Sequence, residues 1–98
     1  MKFIILHEAE IELKDAIVFY NDQLSSLGDK FYDEILNSFE LIQRFPSAWS
    51  KIQRNTRKFI IKRFPYLILY IVEKDKIIVT AIAHQHRKPE YWINRTSN

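Results

Sequence analysis

A chain of 98 residues suits one small domain spanning residues 1–98, and a hydrophobic content of 47% with a single glycine excludes a linker or a disordered tail. The lack of cysteine excludes a disulfide framework and a thiolate metal site. The net charge of +3 favours an acidic protein or a nucleic acid as partner. The apolar run after Lys2 ends at Leu6, too short for a secretory or membrane-spanning segment, so we expect a cytoplasmic protein without a membrane partner.

The first half of the chain predicts a short strand followed by two helices. Residues 2–6 are apolar and favour a strand. Apolar residues then recur at helical spacing over residues 8–24 and 29–45, and the second helix ends before Pro46 because the residue preceding a proline is pushed out of the α region. The two apolar stripes are Ala9, Leu13, Ala16, Ile17, Tyr20 and Leu24, and Phe31, Ile35, Phe39, Ile42 and Phe45.

Polar residues near the helix ends have structural explanations. Glu8, Glu10 and Glu12 lie in the first turns of the first helix, where the positive end of the helix dipole favours carboxylates. We expect all three to be solvated. In the connection between the helices, Ser25 or Ser26 can cap the second helix.

The second half predicts a three-stranded antiparallel meander over residues 59–61, 66–72 and 77–83. These segments are rich in β-branched and aromatic residues. Pro65 cannot donate to a sheet ladder, so it marks the corner between the first two strands. The middle strand is apolar on both faces, which indicates that both faces of the sheet are covered.

These elements predict an α+β fold in the order β-α-α-β-β-β, with the helical hairpin packed on one face of a small sheet. The segment around Tyr91 and Trp92 and a partner protein are expected to cover the other face. Basic residues are concentrated in the second half of the chain: Lys51, Arg54, Arg57, Lys58, Lys62, Arg63, Arg87, Lys88 and Arg95.

Motifs along nearly the whole chain point to one superfamily. The ending, residues 83–95, reads AHQHRKPEYWINR, with a His-Arg pair, Pro89, a Tyr-Trp pair and Arg95. In their order and spacing, these motifs and the earlier ones resemble those of the ParE/RelE superfamily of bacterial toxins. The earlier motifs are Glu12-Leu13 with Ala16 and Tyr20, Leu27-Gly28 with Phe31, Pro46, and Arg63-Phe64-Pro65-Tyr66 with Tyr70.

The resemblance implies the toxin of a type II toxin-antitoxin pair, a small basic protein neutralised by an acidic antitoxin. Members similar to ParE block DNA gyrase without being known as hydrolases, whereas members similar to RelE cut messenger RNA on the ribosome. The RFPY corner, the HxHR sequence and the YWxxR ending are closer to the ParE-like branch. We therefore expect a ParE-like toxin, with ribosome-dependent mRNA cleavage as the alternative and an inactive toxin-derived binding module as a third hypothesis.

Candidate site residues follow from these hypotheses. RNA cleavage needs a base for the 2′-hydroxyl proton, an acid for the leaving oxygen and a cation for the phosphate, and a RelE-like chain would use His84, His86 and Arg87. Taken singly, a histidine at a strand end is more often a hydrogen-bonded structural residue. Two imidazoles without an evident third ligand predict no metal, and we expect no cofactor. The predicted target- or antitoxin-binding residues are Arg57, Lys62, Arg63, Arg87, Tyr91, Trp92 and Arg95.

Overall fold

The computed structural model describes residues 1–87 and 91–96, and these residues confirm the predicted α+β order. An additional strand, β2 (Lys51–Gln53), precedes the meander; it is only three residues long, too short for a period to be visible in the sequence. One turn of 3₁₀ helix follows the last strand at Ile93–Arg95. The remaining elements are β1 (Lys2–Ile5), α1 (His7–Gln23), α2 (Leu27–Arg44), β3 (Thr56–Ile60), β4 (Tyr66–Glu73) and β5 (Lys76–His84).

The described strands form one five-stranded sheet in the order β1-β5-β4-β3-β2. The apolar strand β4 lies at its centre, as its two apolar faces predict. Strands β2 to β5 pair antiparallel, whereas β1 joins β5 in parallel and makes the sheet mixed. The register of β1 ends at the pair Ile5–Val79. Within the described part of the chain, no strand continues along that side of β5 past Val79.

A β-bulge lies just beyond this point on β5. Leu69 of β4 pairs with Ala81 and the next residue, Tyr70, pairs with Val79, so Thr80 has no partner on β4. The Thr80 hydroxyl donates to the Leu69 carbonyl oxygen at 3.2 Å. Bulges bend a strand and re-aim its backbone groups. The second half of β5 is therefore both bent and open on one side.

The helical hairpin covers one face of the sheet, as predicted. Tyr20 and Phe31 from the helices pack on Phe64 and Tyr66, with ring centroids 4.9 Å apart for Tyr20–Phe64 and 5.0 Å apart for Phe31–Tyr66. These contacts bring the corner that contains Pro65 against the helices. Within residues 1–87 and 91–96, no helix is long and apolar enough to cross a membrane.

The C-terminal segment covers part of the opposite face. The buried side chains of Leu69, Ala81 and Trp92 form a second, smaller core, and Tyr91 and Ile93 pack against it. This confirms that the segment around Tyr91 and Trp92 shields apolar strand residues.

Three predictions at the helix ends are wrong. Leu24 and Phe45 are exposed because α1 and α2 end one residue earlier, and the backbone of Leu24 is already extended. Ser26 occupies the N-cap position of α2, but its side chain makes no capping hydrogen bond in the described structure. Its backbone is left-handed, with φ of 69°, whereas a capping side chain needs an extended backbone.

Asn21 of α1 takes over part of the capping. Its side-chain oxygen accepts a hydrogen bond from the Gly28 N–H at 2.7 Å, which satisfies a donor that the first turn of α2 cannot satisfy itself. A Cβ at position 28 would lie 2.1 Å from the Ile17 carbonyl oxygen and 2.7 Å from Asn21 Cγ. Glycine is needed here for the close approach of the two helices.

We expect Gly28→Ala to lower the free energy of unfolding by about 1–3 kcal/mol, because the added methyl group forces the helices apart. Urea unfolding followed by circular dichroism measures this change. Asp33→Ala, at an exposed site on the same helix, should change the free energy by less than about 0.5 kcal/mol. Equal effects of the two substitutions would show that the hairpin tolerates a wider spacing.

Candidate functional site

The structure distributes the predicted site residues over three places. His84, His86, Arg87, Tyr91, Trp92 and Arg95 belong to the end of β5 and the segment that follows it, Lys62 and Arg63 lie in the corner between β3 and β4, and Arg57 lies within β3. Within the first group, the described side chains of Arg87, Tyr91, Trp92 and Arg95 are in contact with one another as a connected set, which is completed by a residue of α1 that was not predicted.

Glu12 of α1 is the centre of this first group. Its Oε1 accepts hydrogen bonds from the Ile82 N–H at 3.0 Å and from Arg95 Nη1 at 2.9 Å, and its Oε2 accepts from Arg95 Nη2 at 3.0 Å. Arg87 Nη1 lies 3.7 Å from Oε2. The Glu12 side chain is only 13% exposed, so the expectation that it is solvated is wrong.

Arg95 binds both the Glu12 carboxylate and the backbone of Thr80, the residue at the bulge. Its guanidinium forms the forked pair with Glu12 and also donates to the Thr80 carbonyl oxygen at 2.9 Å. The Thr80 C=O and the Ile82 N–H both belong to the stretch of β5 past Val79, where no described strand lies on the side opposite β4. Buried backbone groups need partners, and two charged side chains supply them here. We call Glu12, Thr80, Ile82 and Arg95 the C-terminal clasp.

Tyr91 lies against two cations beside the clasp. The Arg87 guanidinium carbon is 3.8 Å from the centre of the Tyr91 ring, and that of Arg95 is 4.8 Å away. Burial and then the nearby Glu12 carboxylate raise the pKa of the Tyr91 hydroxyl, which keeps the ring neutral and suited to cation–π contacts. The Arg87 side chain is 54% exposed, against 14% for Arg95. Arg87 is therefore the cation of this pair that a partner can reach.

The two histidines form a tight turn at the end of β5. The His84 ring packs on Tyr66, and His84 Nδ1 accepts a hydrogen bond from the His86 N–H at 3.1 Å. The ring centroids of His84 and His86 are 5.3 Å apart. A neutral histidine that accepts at Nδ1 carries its proton on Nε2, so His84 is a donor at Nε2 in this geometry and is not arranged as a base.

A cleft of about 270 Å³ separates α1 from the end of β5 beside these residues. Carboxylates line one wall and Arg87 with His84 the other, and the exposed Phe19 ring stands at its edge. A larger groove of about 710 Å³ runs between the helices and β1, and it contains none of the predicted residues. The lining of the smaller cleft is Glu12, Asp15, Ala16, Phe19, Tyr66, Ile82, His84 and Arg87.

The corner between β3 and β4 forms a separate basic surface. Lys62 and Arg63 are exposed, and Arg63 Nη1 lies 3.8 Å from a Glu34 oxygen. A cleft of about 250 Å³ beside them is lined by Leu41 of α2 and by Ile60 at the end of β3, whose side chain is 62% exposed. The register of β2 with β3 begins at Arg57 and does not reach Ile60. We call Leu41, Ile60, Lys62 and Arg63 the basic corner.

Arg57 makes contacts within the fold. Its Nη1 donates to the Trp49 carbonyl oxygen at 2.6 Å and to the Ser47 carbonyl oxygen at 3.3 Å. The Trp49 ring packs on Phe59 at 4.6 Å, as expected for a residue that anchors this loop. Arg57 therefore fixes the loop before β2, and its role in partner binding stays a prediction.

Sequence comparison identifies the family. A family model described as the ParE toxin of type II toxin-antitoxin systems, parDE, matches residues 3–89. The chain belongs to the ParE toxin family. A search of curated proteins found no match. One similar solved structure, described as the chromosomal ParDE TA system from P. aeruginosa, is 15% identical, with a TM-score of 0.77, and the match covers 86% of this chain and 95% of that one. At this identity the structural match shows a shared fold.

The family match confirms the resemblance inferred from the motifs and places this chain with ParE. Lys88 and Pro89, which belong to the predicted basic set and to the C-terminal motif, lie outside the described residues. Glu12 was the residue that sequence reasoning misjudged. Its only signal was its place in the motif Glu12-Leu13, because nothing local distinguishes it from Glu8 and Glu10.

The clasp predicts that Arg95→Lys lowers the free energy of unfolding of this ParE-family protein by about 1.5–3 kcal/mol. A lysine ammonium is a point charge and cannot serve both Glu12 oxygens and the Thr80 carbonyl in the forked geometry. Urea unfolding checks the change. Arg44→Lys, at an exposed site at the end of α2, is the control and should change the free energy by less than about 0.5 kcal/mol. A loss no larger than that of the control would mean that the fork is dispensable.

Proposed function

We propose that this ParE-family toxin inhibits an essential process by binding its target through the surface formed by Arg87 and Tyr91, without cutting RNA. The observation that carries the proposal is the state of Arg87, which is half exposed and held at a defined position by the Tyr91 ring and the Glu12 carboxylate. Arginine and tyrosine held in this way are typical of the residues that dominate protein interfaces. By family resemblance, DNA gyrase is the target we put forward.

The charges around Arg87 support binding of a protein over cleavage of RNA. Glu12 lies 3.7 Å from Arg87, and Asp15 lines the same cleft. A phosphate brought to this guanidinium would meet two carboxylates, whose repulsion offsets the attraction of the cation. A protein surface that offers a carbonyl or a single carboxylate meets less repulsion.

Ribosome-dependent mRNA cleavage remains the second candidate because of one observation. His84 and His86 present two imidazoles with ring centroids 5.3 Å apart at an accessible corner, and a general acid and base could be built from such a pair. His84 would need to release the His86 N–H before it could act as a base through Nδ1.

The third hypothesis, an inactive module that only binds a partner, predicts no growth inhibition at all.

The family implies an antitoxin partner, and we propose that it is an acidic protein that docks on the basic corner. Lys62 and Arg63 supply positive charge, and the exposed Ile60 and Leu41 supply apolar contacts. Ile60 lies beyond the stretch of β3 that pairs with β2, so an extended segment can add to the sheet there. A disordered acidic segment that folds as it binds matches this combination.

The first test compares Arg87→Ala with His86→Gln in cells that express the toxin without its antitoxin. Binding through a fixed cation predicts that growth inhibition falls much more with Arg87→Ala, because His86→Gln leaves the Arg87 guanidinium and its contacts with Tyr91 and Glu12 in place. Colony counts after induction measure the loss, and supercoiling of a reporter plasmid and the integrity of transcripts are followed in the same cells.

Two results would contradict the binding proposal. A general acid or base contributes about 10²- to 10⁴-fold in rate, so a ribonuclease would lose most activity with His86→Gln and would leave cleaved transcripts with the wild type. A wild-type chain that binds the antitoxin but leaves growth unchanged would identify the inactive module.

The second test concerns the antitoxin. We expect the double substitution Lys62→Ala and Arg63→Ala to weaken antitoxin binding about tenfold, with a smaller salt dependence than the wild type, because two cations near an acidic partner are lost. Isothermal titration calorimetry at two salt concentrations measures both effects. Lys14→Ala removes one exposed cation of α1 that does not line the cleft at this corner, and it serves as control. Equal affinities for all variants would place the antitoxin elsewhere.

A further inference from the structure

We propose that Glu12 is a positioning residue of the toxin: it holds the C-terminal strap, residues 91–95, on the open side of β5 and thereby sets the position of Arg87 and Tyr91. The inference deepens the proposed function and rests on it, since it concerns the surface that we assign to target binding. Glu12 itself is largely buried and contacts the target only through the groups that it holds.

Glu12 connects three segments that are separate along the chain. It accepts from the Ile82 N–H of β5, pairs with Arg95 of the strap and lies beside Arg87 in the turn between them. The Ile82 N–H and Arg95 Nη1 share Oε1, whereas Arg95 Nη2 and Arg87 Nη1 both lie at Oε2. The position of the strap relative to the sheet is therefore fixed from α1, a helix near the other end of the chain.

The contacts of Glu12 depend on its charge. Both of its oxygens accept from Arg95. Glutamine has nearly the same shape but replaces one oxygen by an NH₂ group, which would stand against the N–H groups of the guanidinium. Two donors facing each other in a largely buried place are unfavourable, so Glu12→Gln should release Arg95 while α1 itself is unaffected.

Release of Arg95 should also disturb the proposed target surface, because Tyr91 contacts both Arg95 and Arg87. The ring of Tyr91 lies against Arg95 on one side and Arg87 on the other, and Trp92 covers Leu69 and Ala81. Without the clasp, the strap keeps only the apolar contacts of Tyr91, Trp92 and Ile93 and the contact between Tyr91 and Arg87 among those described. Arg87 would then sample several positions, and the loss of a preorganised geometry weakens binding.

The experiment uses Glu12→Gln with Glu10→Gln as the matched control, two positions earlier on the same helix and exposed. Both are made in the full chain carrying Trp49→Phe, which leaves Trp92 as the single tryptophan. Tryptophan emission then reports whether Trp92 of the strap is buried against the sheet. Hydrogen exchange of the Ile82 amide reports whether the side chain at position 12 still accepts its hydrogen bond. Growth inhibition is measured for each chain, with the Trp49→Phe parent as reference.

We expect Glu12→Gln to shift Trp92 emission to longer wavelength, to speed exchange of the Ile82 amide at least about tenfold, and to reduce growth inhibition roughly tenfold. Glu10→Gln should match the parent in all three. Gly28→Ala is the control for a loss of growth inhibition that is caused only by lower stability. It weakens the helical hairpin at a position whose close contacts, Ile17 and Asn21, lie outside the strap. At equal stability, Gly28→Ala should keep its seated Trp92 and lose less activity.

Unchanged emission and unchanged Ile82 exchange in Glu12→Gln would overturn the inference, as would a loss of activity no greater than that of Gly28→Ala. A released strap with full growth inhibition would overturn it too, and would also count against the assigned target surface. If the parent does not inhibit growth, the proposed function fails, while emission and exchange still decide whether Glu12 holds the strap.

Discussion

The forked pair between Glu12 and Arg95 joins the two ends of this chain across the open side of β5. The need for it arises from the short first strand, because the register of β1 ends at Val79 while β5 continues to His84. Backbone groups beyond that point would face a helix without partners. A carboxylate and a guanidinium take the place of a strand, and the position of the C-terminal segment follows from where they meet.

A largely buried ion pair of this kind is better suited to specifying an arrangement than to adding net stability. Removing both charges from water is costly, and the attraction between them recovers that cost only when further hydrogen bonds are made. Here those bonds go to the Ile82 N–H and the Thr80 carbonyl. The geometry therefore selects one seating of the segment over alternatives that would leave a charge or a backbone group unpaired.

Local patterns were sufficient to predict both helices, the central strand and the Pro65 corner, since helical spacing, β-branched runs and proline act within a few residues. They were insufficient for Glu12, because the helix-dipole argument treats a helix in isolation and the partner of this carboxylate is 83 residues away. The bulge at Thr80 was equally invisible, because the sequence around it is that of an ordinary strand. The family motifs singled out C-terminal residues that the structure brings together, without indicating that Arg95 is largely buried and Arg87 accessible.

The long separation between Glu12 and Arg95 also orders events during synthesis. A chain emerges from the ribosome with its N-terminus first and a domain folds as a unit, so Glu12 has no partner until Arg95 has emerged. Lys62 and Arg63, which lie earlier in the chain, are available before that moment. A nascent chain therefore exposes the cations that we propose for antitoxin binding before the surface that we propose for the target can assemble, and a chain that is cut short before Arg95 cannot make the forked pair.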